Sequence, residues 1–289
     1  MPKLEYKFTN DVLFKMLFVK YQELLKRLVA IMLGIQLDSI GKFVVTNPEI
    51  PPEAAREKFC RLDINMTING RRVDLEVQVS DEGDYPERAL YYWAREFSST
   101  LGEGGEYSDL PPTIIISILA YKQFECAEFY SEYQVLELKR HTPLTDKMVM
   151  QFYELPKIPE KISAEHELQL WLTLFNANTE EDLAKLEAMK VPVMKKAIEA
   201  YRHVTATDEF REIERLLSRA RHNEASALGH ARRKEREKWQ GIVADKDAAL
   251  ADKDAALADK DVALADMEAE NEKLRAQLAK LQAKTKKAN

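Results

Sequence analysis

Apolar residues between positions 9 and 33 recur three or four apart, and Phe14, Leu17, Phe18, Tyr21, Leu25 and Leu28 share one side of a helical wheel. That period predicts an amphipathic helix over about 9–33, with Thr9 or Asn10 as N-cap, Asp11 in its first turn and an end near Gly34. Pro48, Pro51 and Pro52 then predict a loop or irregular segment over 46–58. After it the period falls to two. In "RLDINMTINGRRVDLEVQV", residues 61–79, polar and apolar residues alternate on both sides of Asn69-Gly70. Asn-Gly between alternating runs is the strongest short signal for a two-residue type I′ hairpin, because both residues tolerate positive φ.

That turn fixes a register in which Ile68 faces Arg71, Asn65 faces Asp74, Ile64 faces Leu75 and Asp63 faces Glu76. One face is then wholly apolar, with Leu62, Ile64, Met66 and Ile68 beside Val73, Leu75, Val77 and Val79. The other carries Arg61, Asp63, Asn65, Thr67, Arg72, Asp74, Glu76 and Gln78. Opposed side chains sit roughly 5 Å apart at Cβ, so Asp63 and Glu76 repel unless a cation or a proton lies between them. Two converging carboxylates suit a hard divalent cation such as Mg²⁺. A solvated face on which Arg61 and Arg72 offset the acids satisfies the same register, and the register alone does not separate the two.

Beyond the hairpin, "PERALYYWAREFSSTL" predicts a helix near 86–101, with Pro86 in its first turn and Gly102, Gly104 and Gly105 after it. "TIIISILAY", residues 113–121, reads as a strand buried on both faces, and further strands are expected near 133–139 and 147–155. Helices are predicted over 164–176, 180–189 after a Thr179 cap, 191–203, and from about 208 onward. The fold class expected is a mixed α/β core with a helical C-terminal part. Its divisions are 1–160, a helical region over 161–243 with a basic helix, and a tail over 244–289.

The tail is a repeat of period seven: "ADKDAAL" twice and "ADKDVAL" once fill residues 244–264. With the leucines at heptad position a, the seam holds Leu250, Leu257, Leu264, Asn271 and Leu278, with Lys253, Lys260, Met267, Leu274 and Leu281 at d. A self-associating coiled coil over 250–281, as a homodimer or other homo-oligomer, is the expectation. An isolated Ala-rich helix is the alternative.

Charge changes the picture by its distribution. Residues 211–240 hold nine Lys/Arg against five Asp/Glu, whereas residues 1–210 carry a net −9 within a total of −6. An acidic core does not coat nucleic acid by bulk electrostatics, so phosphate contacts are expected on the basic helix, unless it is an ordinary solvated one. Cys60 and Cys126 form no disulfide framework, residues 1–28 are not expected to be a signal peptide because Lys15, Lys20, Lys26 and Arg27 cut their apolar pattern, and no apolar run is long enough to span a membrane. A reduced, cytoplasmic protein is expected. P-loop, GxGxxG, HExxH and GxSxG patterns are missing, and "GEGGEY" follows a helix, so it reads as a turn.

Four stretches in order carry a family likeness: "TNDVLFKMLF", "LDI...NGRRVDLEVQV", "RALYYWARE" and "LGEGGEYSDLPPTIIISILAYKQF". With Asp63 followed thirteen residues later by Glu76-Val77-Gln78, residues 8–155 resemble the PD-(D/E)XK nuclease core. More narrowly they resemble the recombination-promoting nuclease family, also described as PD-(D/E)XK nuclease-family transposases; the helical region to about 240 matches loosely.

The resemblance implies a restriction-endonuclease-like mixed sheet flanked by helices and a metal-dependent DNA endonuclease using Mg²⁺ or Mn²⁺. Asp63 and Glu76 would bind the ion, with the carbonyl of Val77 as a further ligand. The third catalytic side chain of such cores is usually Lys, and Gln78 stands there, a residue the narrower family tolerates. Gln can orient a water but cannot take its proton or supply positive charge. Lys15 is a candidate for the missing charge and Asp11 for an accessory acid, although Asp and Lys at i,i+4 are also an ordinary surface pair. Arg88 and Tyr91 are candidates for phosphate contact or bracing, and Asp74 for a supporting or second-metal group. The alternative function is a decayed nuclease core that binds DNA or assembles through its tail.

Overall fold

The computed structural model describes residues 2–47, 63–102 and 104–285. Most of the loop expected over 46–58 lies outside the described residues, as do Cys60, Arg61 and Leu62. The chain forms two compact units, one reaching Ala220 and one beginning at Arg221.

Among the described residues the first unit contains a six-stranded mixed sheet in the order β1-β2-β3-β4-β6-β5. The strands are β1 (Phe43–Val45), β2 (Ile64–Ile68), β3 (Arg71–Gln78), β4 (Thr113–Leu119), β5 (Tyr130–Tyr133) and β6 (Met148–Glu154). Helices α1 (Asp11–Lys20) and α2 (Gln22–Met32) precede them, α3 (Tyr85–Ser98) joins β3 to β4, and α4 (Glu167–Asn176), α5 (Glu180–Ala188), α6 (Pro192–Thr205) and α7 (Asp208–Thr285) follow. β3, β4 and β6 run parallel, and β1, β2 and β5 are antiparallel to their neighbours.

A parallel step needs a crossover, and α3 supplies the one between β3 and β4. It therefore lies over one face of the sheet. Tyr85 and Ala89 of α3 pack there against Ile115 and Leu119 of β4 and Met148, Met150 and Phe152 of β6. Ile114, Ile116 and Ile118 point to the opposite face, where Leu75, Phe14, Leu25, Trp171, Ile198 and the first turns of α7, through Phe210, close a larger core. The apolar run of β4 is thus divided between two cores by its pleat. Phe14, Phe18, Trp171 and Phe175 approach within 5.0 to 6.1 Å between ring centroids, contacts that stabilise by about 0.5–1.5 kcal/mol per pair beyond area burial.

Two expectations change and one strand is added. The helix expected over 9–33 is two, because Tyr21 leaves helical geometry at φ −111° and ψ 65°. On either side of the break α1 packs on α6 and α2 on α4. The strand expected near 133–139 lies earlier, at Tyr130–Tyr133. Past it Val135, Leu136 and Leu138 are exposed, and the chain turns through His141 at φ +53°. β1 is an addition: a three-residue edge strand is too short to carry a period.

The caps follow the sequence. Asn10 accepts from the Leu13 amide, and Thr179 and Asp182 form a capping box at α5. In the second unit the heptads are helical, and Leu250, Leu257, Leu264, Met267, Leu274 and Leu278 each expose more than half their surface.

Candidate active site

The hairpin turn is of type I′: φ is +49° at Asn69 and +83° at Gly70. Asn69 also secures the turn, since its Oδ1 accepts from the amides of Gly41 and Lys42 at 3.0 and 3.1 Å and its Nδ2 donates to the Ser39 carbonyl at 2.8 Å. The resulting register pairs Ile68 with Arg71, Asn65 with Asp74 and Ile64 with Leu75. Asp63 immediately precedes β2, and that register continued by one step would set it opposite Glu76. On its other side Glu76 pairs with Ser117 of β4.

The polar face of the hairpin is not open to water. Asp63, Asp74 and Glu76 are only 5%, 3% and 5% exposed, and Lys15 of α1 only 2%. Charged side chains are almost never buried this far without partners, because burial penalises the charged form heavily. The Lys15 ammonium donates to the Asp63 carbonyl at 3.3 Å, so α1 brings a cation to the start of β2. Lys15 is therefore no surface residue, whereas Asp11, one turn earlier, is half-buried.

Each acid is held differently. Asp63 Oδ2 accepts from Asn65 Nδ2 at 2.7 Å, while Asn47 donates to the Asp63 carbonyl at 3.0 Å and accepts from the Asn65 amide at 2.7 Å. Asp63 Oδ1 is buried and has no hydrogen-bond partner among the described residues. Glu76 Oε2 accepts from the Tyr85 phenol at 2.6 Å and from Gln78 Nε2 at 3.4 Å. A phenol has one proton, and the carboxylate takes it; the Ser117 hydroxyl, 2.9 Å away, then donates to the phenol oxygen. Burial, and then the charge of Glu76, hold the Tyr85 hydroxyl well above the usual tyrosine range, so it remains a donor.

Gln78 is braced between Glu76 and Arg88, whose Nη2 donates to Gln78 Oε1 at 3.3 Å. Arg88 also pairs with Glu82 at 2.6 Å and Asp84 at 3.5 Å and stands 5.4 Å from the centre of the Tyr85 ring. Val77, between Glu76 and Gln78 on β3, packs its side chain on the larger core. Tyr91 does not join this network; it is 62% exposed and lines a cleft of about 830 Å³ that also borders Asp74, Arg88 and Arg95.

Asp63, Glu76, Gln78, Asp74, Lys15 and Arg88 thus belong to one locality, whereas Tyr91 lies outside its hydrogen bonds. Tyr85, Ser117, Asn47 and Asn65 are additions. Ser117 had a signal, as the hydroxyl in the middle of an otherwise apolar strand. Among the described residues no group of three or more His, Cys, Asp or Glu is arranged to hold a metal ion. The carboxylates of Asp63, Asp74 and Glu76 are nonetheless buried here, and an ion that keeps waters and takes the rest of its shell from a phosphate needs only one or two of them.

A family model for PD-(D/E)XK nuclease family transposases matches residues 8–231. The chain belongs to that family. Neither a curated protein nor a solved structure matches it. Membership in the PD-(D/E)XK nuclease family transposases implies a nuclease-type phosphodiesterase activity on DNA, and nucleases of this kind generally use divalent metal ions. The family's region covers the sheet, both cores and the beginning of α7, and stops before the heptads. No described helix is long and apolar enough to cross a membrane.

Proposed function

We propose that this protein is a Mg²⁺- or Mn²⁺-dependent DNA endonuclease acting in recombination or transposon-like mobility. The observation that carries the reading is Asp63 Oδ1, a carboxylate oxygen that is buried with no hydrogen-bond partner among the described residues, on a face that also buries Glu76. Native proteins rarely leave such an atom unsatisfied, since the loss costs about 1–3 kcal/mol or more for a charged group. A divalent cation held by Asp63, Glu76 and the Val77 carbonyl accounts for it. When bound, that ion supplies Lewis-acid polarisation of a phosphate and a lowered pKa for a water.

The side chains divide the remaining work. Tyr85 and Gln78 hold Glu76 in one orientation, and Asn65 does the same for Asp63. Lys15 supplies the positive charge that Gln78 cannot, from α1 rather than from β3. Gln78 is a positioning residue, its amide engaged at both ends by Glu76 and Arg88. Asp74 is a supporting acid, and Asp11 an accessory one at the edge. Plasmid nicking by the purified protein with Mg²⁺ or Mn²⁺, against EDTA, tests the reading.

The exposed leucine row on α7 favours self-association through residues 250–281, as a homodimer or other homo-oligomer in the cytoplasm. An assembly or DNA-binding protein on a decayed core is the second reading, favoured by Gln78 alone. It predicts DNA binding with no metal-dependent cutting.

A further inference from the structure

The cleft beside the acids is a second feature of the polar face, and its chemistry differs from theirs. It runs along the side of α3 that carries Arg88, Tyr91, Tyr92 and Arg95, and it reaches Asp74, two residues from Glu76 on β3. Tyr91 and Tyr92 meet edge to face with centroids 5.9 Å apart, leaving Tyr91 largely exposed. Four carboxylates and two guanidinium groups border the cleft. Of these, Arg88 is engaged by Glu82 and Asp84, and Glu96 pairs with Arg72.

A cleft with more carboxylates than cations repels phosphate, so a nucleic-acid backbone is a poor occupant. An uncharged aromatic ring with N–H groups on its edge is a good one: it stacks on tyrosine, and Glu or Asp accepts from exocyclic amines. The volume of about 830 Å³ lies within the range of small-molecule pockets. We propose that this cleft receives an unpaired nucleobase of the DNA strand whose phosphate lies at Asp63 and Glu76. The proposal rests on the nuclease reading and adds the substrate class: DNA with unpaired nucleotides beside the cut, as in a bulge, gap, flap or single strand. In a paired duplex the ring face and the hydrogen-bonding edge are both occupied, and freeing them costs a few kcal/mol.

Binding of the full-length chain in EDTA separates this claim from cleavage. The probes are a paired oligonucleotide duplex, the same duplex with one extrahelical 2-aminopurine, and the corresponding single strand, read by anisotropy and by 2-aminopurine fluorescence. The expected result is binding of the bulged duplex roughly ten-fold or more tighter than the paired one, with quenching of the probe. Tyr91→Ala should lose that preference and leave paired-duplex binding unchanged, and Tyr91→Phe should retain it. Equal affinity for paired and bulged DNA, or equal loss on both with Tyr91→Ala, overturns the proposal. A change of mass in light scattering for Tyr91→Ala also overturns it, because the cleft would then be an interface between copies. Base-dependent binding without any metal-dependent cutting supports the cleft and sinks the nuclease reading; cutting that is indifferent to Tyr91 and to unpaired bases does the reverse.

Discussion

Tyr85→Phe isolates one hydroxyl at the centre of the site. The ring is fully buried and packs edge-on to Phe152 at 6.2 Å, contacts that Phe preserves. The substitution removes the 2.6 Å bond to Glu76 and the 2.9 Å bond to Ser117. A hydrogen bond to a charged group contributes about 1.5–3 kcal/mol, and Glu76 is left buried with a weaker partner in Gln78 at 3.4 Å. With a urea m-value of about 1–3 kcal/mol/M, the unfolding midpoint should fall by roughly 0.5–3 M with m unchanged.

The sign of the pH dependence follows from the same bond. The Tyr85 pKa is raised above the ordinary 10.0, so the stabilisation is complete below pH 10 and is lost as pH rises through the folded value. The gap between wild type and variant should therefore be constant near neutrality and narrow above about pH 10. In the cleavage assay, loosening Glu76 should lower activity or metal affinity by about 10–100-fold, as for other groups that orient a metal ligand. An unchanged urea midpoint would refute the claim that Tyr85 holds the carboxylate.

Three further outcomes are expected. Lys15→Met should reduce kcat by roughly 10²–10³ with little change in KM, if its ammonium stabilises charge at the phosphate, and an unchanged rate in single-turnover cleavage would contradict it. Thermal melts from pH 8 to 12 should show stability lost from about pH 10 upward, since burial pushes Tyr121 and Tyr201 up to about 12 and their neutral forms belong to the folded state; a flat profile would contradict it. A chain ended after Val243 should lose the multimeric mass of the full chain in light scattering, and equal oligomeric order for both would rule out the heptads as the assembly element.

The hairpin was readable because a single dipeptide sets its twist, its register and the side of every residue, and Asp63 and Glu76 follow by counting from Asn69-Gly70. What covers their face was not readable from the same letters. A polar strand face looks alike whether it meets water or a buried site, and only the parallel step from β3 to β4 sends α3 across it. Tyr85 is hidden in the sequence for a related reason: ahead of Pro86 it reads as helix entry, and its role exists only once α3 lies against Ser117. Lys15 looked like half of a surface pair because helical spacing records which residues are neighbours, while its 2% exposure depends on β2 arriving from forty-eight residues away. Likewise the α1–α2 break and the position of β5 depend on which partners each segment packs against.

We propose that Asp63 and Glu76 hold the ion with which this chain cuts DNA. Supercoiled plasmid incubated with Mg²⁺ or Mn²⁺ and the wild-type protein, Asp63→Ala or Glu76→Ala tests it most directly, with circular dichroism confirming that each variant is folded. Nicking by the wild type should stop with EDTA and be abolished in both folded variants. Undiminished nicking by Asp63→Ala and Glu76→Ala would contradict it.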